Sequence, residues 1–317
     1  MESGGVSLVV HEDDAPAAST APVPAPVPSV PAAPEVVPAA PEVVPAAPEV
    51  APAVDSEKPV ILCKEYPRAA GEKPWPKNLP PKPTHPPVSI VTPTYNRRKF
   101  IPWLMECIRD QTYPKERIEW LIFDDGSDKI LDVIEPYMKE FNIRYFYSDK
   151  KMNIGIKRNK LNDEARGSVI VTMDDDDYYP AERVQHAVFM LAAKKVEIVG
   201  STRNHLYFTD DATIWGVGPY NPNHATFGTM AYTKSYVKKH RCDETVIYAE
   251  EMSFTDKYSV PLAQLDPMKV MLVMCHSENT FNKNKLRENP SDVVKKTTLK
   301  LKNFVRNAKQ REFYAAA

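Results

Sequence analysis

The stretch "VTMDDDDYYP", residues 171–180, ends an apolar run on four consecutive aspartates. Carboxylates at contact distance repel one another by several kcal/mol at the effective dielectric of a protein surface, roughly 332/(ε·r) kcal/mol with ε about 20. A folded domain does not gather Asp174 to Asp177 at one strand end without a source of positive charge. The stretch therefore predicts a buried strand that ends at a binding site for positive charge.

Apolar runs alternate with segments of helical periodicity on both sides of this stretch. Strands of this kind that alternate with helices of 10 to 15 residues predict βαβ units and a central, mostly parallel sheet. The runs are nearly continuous in apolar residues, as expected when helices cover both faces of a sheet. The predicted strands are 88–94, 118–125, 143–148, 168–174 and 196–201, and the predicted helices are 99–111, 127–141, 154–166 and 180–194.

Three polar clusters follow predicted strands: "PTYNR" at 93–97, "DDGS" at 124–127 and "DDDDYYP" at 174–180. In open α/β sheets the ligand crevice lies outside the carboxyl ends of the strands. The clusters are far apart in the chain, and the fold should bring them together. We therefore expect one site at this edge of the sheet.

Composition limits the partners and the compartment. The 317 residues carry a formal net charge of -1, so neither nucleic acid nor an anionic membrane is an expected partner of the whole molecule. No apolar run approaches the roughly 20 residues that span a bilayer, and the N-terminus lacks a basic region followed by an apolar one. We expect a soluble, cytoplasmic protein. Its four cysteines contain no CxxC pair, which argues against a zinc ribbon.

Proline content sets the domain boundaries. More than half of the 31 prolines lie in the first 87 residues, where "PAAPEVV" repeats from Pro31 to Ala51. Such a segment buries no core and should be extended and solvated. The expected divisions are a disordered arm (1–58), a Pro-rich linker (59–87), one α/β domain (88–285) and a basic C-terminal helix (286–317).

The motifs from Val88 to about Glu251 resemble those of the family 2 glycosyltransferases of the GT-A fold. "VSIVTPTYNR" resembles the opening strand of that family, "WLIFDDGS" its nucleotide-base site, "NIGIKRN" the helix under the nucleotide and "VTMDDDDYY" its DxD metal site. The resemblance implies an α/β Rossmann-like GT-A domain that transfers a sugar from a UDP-sugar donor.

In such a site, the residues on the donor side recognise the nucleobase and hold the diphosphate. One carboxylate of "DDGS" should accept a hydrogen bond from the imide N–H of uracil. The family assigns this role to the residue that matches Asp125, with Asp124 supporting the loop. The other residues expected to line the base pocket or to meet the donor's charged groups are Thr92, Pro93, Tyr95, Lys157 and Arg158.

Departure of a diphosphate develops negative charge that a divalent cation neutralises, and oxygen ligands select Mn²⁺ or Mg²⁺. Residues i and i+2 of an extended segment face the same way, so Asp174 and Asp176 should face the crevice together while Asp175 points elsewhere. The resemblance makes Asp176 the direct ligand and places Asp174 near the ribose or a metal-bound water. We count Asp174 and Asp175 among the nucleotide-sugar residues and Asp174, Asp176 and the late His276 among the metal residues.

Inversion at the anomeric carbon needs a base that takes the proton of the acceptor hydroxyl. Family members place it in an acidic pair, often Glu-Asp, at the start of a helix. "YAEEM" at 248–252 offers Glu250 and Glu251, and we favour Glu251. The resemblance implies that the acceptor is a glycan or another hydroxyl-bearing molecule.

Two alternatives use the same motifs. Nucleotidyl transfer or nucleotide-sugar hydrolysis also needs acidic residues and a metal. An inactive sugar-nucleotide or glycan-binding module needs neither base nor metal, and intact Asp125, Asp174, Asp176 and Glu251 argue against it.

Overall fold

The computed structural model describes residues 63–67, 75, 79, 81–279 and 281–317. The expected arm (1–58) lies outside the described residues, as do parts of the expected linker. The strands are β1 (Lys64–Glu65), β2 (Val88–Thr94), β3 (Ile118–Asp124), β4 (Asn142–Tyr147), β5 (Val169–Thr172), β6 (Ile198–Gly200), β7 (Asn204–Phe208), β8 (Thr213–Val217), β9 (Ala231–Thr233), β10 (Ala263–Gln264), β11 (Leu272–Cys275) and β12 (Val294–Lys296). The α-helices are α1 (Ile101–Arg109), α2 (Leu131–Ile134), α3 (Ile154–Glu164), α4 (Arg183–Lys194), α5 (Glu251–Phe254), α6 (Asn284–Glu288) and α7 (Ala308–Ala316).

The central sheet has eight strands in the order β1-β4-β3-β2-β5-β9-β6-β10. Strands β4, β3, β2 and β5 run parallel, and β9 lies antiparallel between β5 and β6. This arrangement confirms the α/β fold with a mostly parallel centre. The carboxyl ends of β2, β3 and β5 consequently share one edge, where the three polar clusters meet.

Helices cover both faces of the sheet, which explains why every residue of β2 and β3 is buried. On one face, Ile90 and Trp120 pack with the apolar sides of α1 and α4. On the other, Val91 and Leu121 pack with Leu161 of α3 and with the aromatic residues that follow β9. The apolar face of α3 is narrow because several of its polar side chains are also buried.

A second sheet, in the order β11-β7-β8-β12, was not expected from the sequence. Strand β11 runs parallel to β7, and β12 runs antiparallel to β8. The prediction of a single basic helix over 286–317 is wrong: the segment contains β12 and α7. Pro290 removes a helical backbone donor, and the apolar residues Val294, Phe304 and Val305 are buried in the core.

Two other predicted elements are shorter than expected. The predicted helix over 127–141 contains only α2 and a 3₁₀ turn at Glu135–Tyr137. Pro136 lies in that turn, where it cannot continue α-helical hydrogen bonding. None of the helices in the described ranges has both the length and the apolar character needed to cross a membrane.

Candidate active site

The four aspartates after β5 divide into an accessible pair and a buried pair. The side chains of Asp174 and Asp176 are 26% and 17% exposed, whereas Asp175 and Asp177 are buried. β5 has already ended, and residues 175–176 lie in a turn, so the alternation does not come from the extended segment that we expected. Burial, and after it the charge of Asp176, raises the pKa of Asp175 to about 8. The carboxyl of Asp175 therefore stays largely protonated at neutral pH, which reduces the repulsion among the four aspartates.

Asp177 joins the acidic segment to the C-terminal part of the chain. Its carboxylate accepts a hydrogen bond of 2.8 Å from the backbone N–H of Met274, and its carbonyl accepts one of 3.4 Å from the Tyr314 hydroxyl. The neighbouring Tyr178 exchanges two backbone hydrogen bonds with Leu272. Asp177 thus holds β11 against the site.

His276, directly after β11, contacts the acidic segment. Its Nε2 lies 3.3 Å from Asp176 Oδ2, and its side chain is 1% exposed. The same oxygen lies 3.3 Å from Asn279 Nδ2 and 3.7 Å from Arg97 Nε. Although burial opposes it, the hydrogen bond from His276 and the nearby positive charges, including Lys283, lower the pKa of Asp176. Asp176 is therefore ionised, as a metal ligand must be.

The donor set fits a divalent cation in part. Adjacent ligands of one Mg²⁺ ion at about 2.1 Å lie about 3.0 Å apart, close to the 3.3 Å between His276 Nε2 and Asp176 Oδ2. Within the described part of the chain, however, no three His, Cys, Asp or Glu side chains are grouped to hold a metal. Such ions are usually held by one or two carboxylates together with substrate phosphates. The residues fit a cation that binds together with a nucleotide.

Arg158 of α3 connects the acidic segment to Glu250, one of the two glutamates predicted to supply the catalytic base. Its Nη1 lies 2.7 Å from Asp174 Oδ1, and its Nε lies 3.1 Å from Glu250 Oε1. The guanidinium also lies over the Phe227 ring, 4.3 Å from the ring centroid, and the side chain is only 4% exposed. Arg158 is therefore an internal cation that is already paired within the chain, and its expected contact with the donor stays a prediction.

Lys157 and the "DDGS" aspartates form a second buried network. Lys157 Nζ lies 2.8 Å from Asp125 Oδ1, and the other oxygen accepts a 2.6 Å hydrogen bond from Met152 N–H. Lys157 is therefore also paired within the chain. Asp124 accepts from Gly126 N–H and Tyr145 O–H and supports the loop as expected. The side chain of Asp125 exposes no surface, so its contact with uracil stays a prediction.

The three residues expected from "PTYNR" and its strand differ in accessibility. Thr92 does not line a pocket: it is fully buried, and its hydroxyl donates to the carbonyl of Met173 and accepts from Trp120 Nε1. Pro93 is also buried within β2. Tyr95 is partly exposed, and Lys151 Nζ lies 4.3 Å from its ring centroid. Only Tyr95 is therefore placed to form a wall of a base pocket.

Glu250 and Glu251 lie at the start of α5, but their environments differ. Glu250 is 6% exposed and held by Arg158, whereas Glu251 is partly exposed and makes no ion pair within the described residues. Burial, and after it the charge of Glu250, raises the pKa of Glu251 to about 8. The preceding Ala249 has φ of 59°, a left-handed conformation that costs on the order of 1 kcal/mol and is held by the surrounding contacts.

Helix α3 also positions the segment that leads to Glu250. Asn159 exchanges two hydrogen bonds with the backbone of Cys242, and Asn153 donates to the carbonyls of Glu244 and Thr245. Asn153 is the N-cap residue of α3, but its side chain makes no capping hydrogen bond. Helix α3 therefore supports Asp125, Asp174 and the segment that carries Glu250 and Glu251.

Sequence reasoning missed the roles of Arg97, Phe227 and Lys283. Arg97 lies in the quoted "PTYNR" cluster, and its position at the carboxyl edge of β2 was the available signal. Phe227 and Lys283 carried no signal, because their place beside Arg158 and His276 depends on tertiary packing.

Comparison with known proteins bears on the family and the fold. Residues 89–244 match the family model described as Glycosyl transferase family 2. The domain formed by these residues belongs to this family.

Relatives and solved structures extend the comparison. TarS of Staphylococcus aureus, a poly(ribitol-phosphate) beta-N-acetylglucosaminyltransferase, is 31% identical over 101 residues, which are 31% of this chain and 18% of TarS. The chain thus matches less than a fifth of that relative's length. The crystal structure of TarS 1–349 with UDP-GlcNAc has a TM-score of 0.52 at 19% identity and covers 61% of this chain and 60% of that one. The mannosyltransferase PcManGT of Pyrobaculum calidifontis with GDP-Man and Mn²⁺ has a TM-score of 0.52 at 17% identity and covers 68% and 64%. These structures share the GT-A fold.

Proposed function

We propose that the chain is an inverting glycosyltransferase that moves a sugar from a UDP-sugar to a hydroxyl acceptor with the help of Mn²⁺ or Mg²⁺. The observation that carries the proposal is the link through Arg158. It joins Asp174, on the predicted donor side, to Glu250, on the predicted acceptor side, through contacts of 2.7 and 3.1 Å. A donor group and an acceptor hydroxyl bound at these two places would meet at one reaction centre.

The donor would lie along the carboxyl edge of β2, β3 and β5. Tyr95 offers a ring beside the base, and Asp125 is proposed to read the uracil imide. Asp176 and His276 would hold the cation, which when bound supplies electrophilic stabilisation of the diphosphate. The names of related proteins, among them an N-acetylglucosaminyltransferase, support a sugar nucleotide as the donor.

Glu251 is the proposed base, because Glu250 is already bound to Arg158. Glu251 would accept the proton of the acceptor hydroxyl while that oxygen attacks the anomeric carbon. Glu250 would keep Arg158 oriented toward Asp174. The proposal thus gives different roles to Glu250 and Glu251, both of which the sequence offered as the base.

A thermal-shift panel of UDP-, GDP-, CDP- and TDP-sugars with Mn²⁺ or with chelator tests the proposal. We expect a UDP-sugar to raise the melting temperature most, and more in Mn²⁺, because a ligand that binds only the folded state stabilises it by RT ln(1 + [L]/Kd). Asp176→Ala should remove the difference between Mn²⁺ and chelator. Equal stabilisation of the wild type in Mn²⁺ and in chelator would contradict the metal dependence. A larger shift with a GDP-sugar would contradict uracil as the nucleobase of the donor.

The rate of transfer should rise with pH as Glu251 loses its proton. Its folded-state pKa of about 8 lies above the ordinary value of 4.5, so the protein holds this proton across neutral pH and kcat/KM should increase up to about pH 8. Between pH 4.5 and about pH 8 the folded state holds the Glu251 proton more tightly than the unfolded state does. The contribution of this carboxyl to the free energy of unfolding therefore falls as the pH rises through that range. A profile of kcat/KM from pH 5 to 9 checks the expectation, and a flat profile would oppose it.

A further inference from the structure

Lys283 is a cation that makes no direct ion pair within the described residues. It precedes α6 and is partly buried, and no residue in 63–67, 81–279 or 281–317 gives its ammonium a hydrogen bond or an ion pair. The nearby cations are paired: Lys99 with Glu278 at 2.7 Å and Arg287 with Asp211 at 3.3 Å. The ammonium of Lys283 is therefore available to a ligand.

Lys283 lines a cavity of about 440 Å³. His276 also lines this cavity and contacts Asp176 at 3.3 Å. The cavity therefore adjoins the proposed cation site.

Hydrogen-bond donors dominate the rest of the lining. The one carboxylate side chain there, Asp210, is already bound by Arg287. Lys283 is the Lys or Arg side chain in this lining. The neutral polar side chains that line it are Thr209, Ser277, Asn279, Asn282 and Asn284.

We infer that this cavity receives phosphate oxygens of the donor's diphosphate and that Lys283 is their protein cation, an inference that rests on the proposed function. Lys157 and Arg158, the cations expected for this role, are committed to Asp125 and to Asp174 with Glu250. When the bond between the anomeric carbon and the β-phosphate oxygen breaks, the electron pair stays on that oxygen. Lys283 compensates this added charge by charge-assisted hydrogen bonding.

The test compares uridine, UMP and UDP as ligands of the wild type and of Lys283→Gln, by calorimetry in Mn²⁺ and in chelator. Uridine should bind both proteins equally, whereas UDP should bind Lys283→Gln about 10- to 100-fold more weakly, the range for one hydrogen bond to a charged group. Lys283→Arg should recover most of the lost affinity. Lys285→Gln is the matched control, because Lys285 is exposed two residues further along and does not line the cavity.

The outcomes separate this inference from the proposed function. If the wild type binds neither uridine nor UDP, the UDP-sugar donor itself is wrong. If the wild type binds UDP more tightly than uridine and Lys283→Gln keeps that preference, Lys283 does not contact the diphosphate. The same conclusion follows if Lys283→Gln changes only the KM of a phosphorylated acceptor, since the phosphate would then belong to the acceptor.

Discussion

Glu251→Gln should reduce the rate of sugar transfer by about 10²- to 10⁴-fold, the usual contribution of general base catalysis. The amide keeps the shape of the side chain but has no basic carboxylate oxygen. UDP affinity should stay within twofold of the wild type, roughly the scatter expected when no contact is lost, because Glu251 makes no ion pair with the donor-side residues of the described chain. Single-turnover transfer rates and UDP titrations of the same preparation measure the two effects.

Glu250→Gln is the informative comparison. It removes one of the two carboxylates that hold Arg158, so it should lower stability and donor affinity as well as rate. A wild-type rate for Glu251→Gln together with an inactive, stable Glu250→Gln would reverse the assignment within the pair. Normal rates in both would oppose an inverting mechanism that uses either residue.

Arg158→Met should have the largest effect on stability. The methionine fills most of the space but leaves Asp174 and the buried Glu250 without their shared cation. Breaking a buried ion pair by removing one partner costs about 3–5 kcal/mol, and transfer should become undetectable because the donor and acceptor sides lose their link. Urea denaturation of ligand-free protein measures the free energy of unfolding.

Two further variants test the physical cause. Arg166→Met is a matched control: Arg166 is exposed just beyond α3, so its loss should change stability by less than about 0.5 kcal/mol. Adding Glu250→Gln to Arg158→Met should recover part of the loss, because one uncompensated charge disappears. If the double variant is no more stable than Arg158→Met, uncompensated carboxylates are not the reason for the loss.

Periodicity predicted the central fold because its strands are continuous apolar runs between long amphipathic helices. It failed where short elements depend on partners elsewhere in the chain. Strand β12 has three residues and exists because it pairs with β8, and β1 has two residues that pair with β4. The helix over 127–141 was overestimated because apolar spacing outweighed Pro136 in the prediction.

The chemistry of the site was predictable by residue type but not by pairing. Asp174 and Glu250 were identified from motifs, yet no spacing rule showed that Arg158 would connect them. Thr92 was expected in the pocket because it precedes the polar cluster, but its position in the pleat turns the hydroxyl toward Met173 and Trp120. Lys283 became a candidate only when folding placed it beside His276.

The contacts of Asp177 limit how this protein could be recombined with others. The family match ends at residue 244, but Asp177, inside the match, is bonded to Met274 and Tyr314 outside it. A chimera joined at the end of the match would replace both donors, and the buried carboxyl of Asp177 would keep its partner only if the grafted strand places a backbone N–H where that of Met274 lies. Grafting residues 245–317 from a relative should therefore succeed when the strand equivalent to β11 keeps its register beside Asp177.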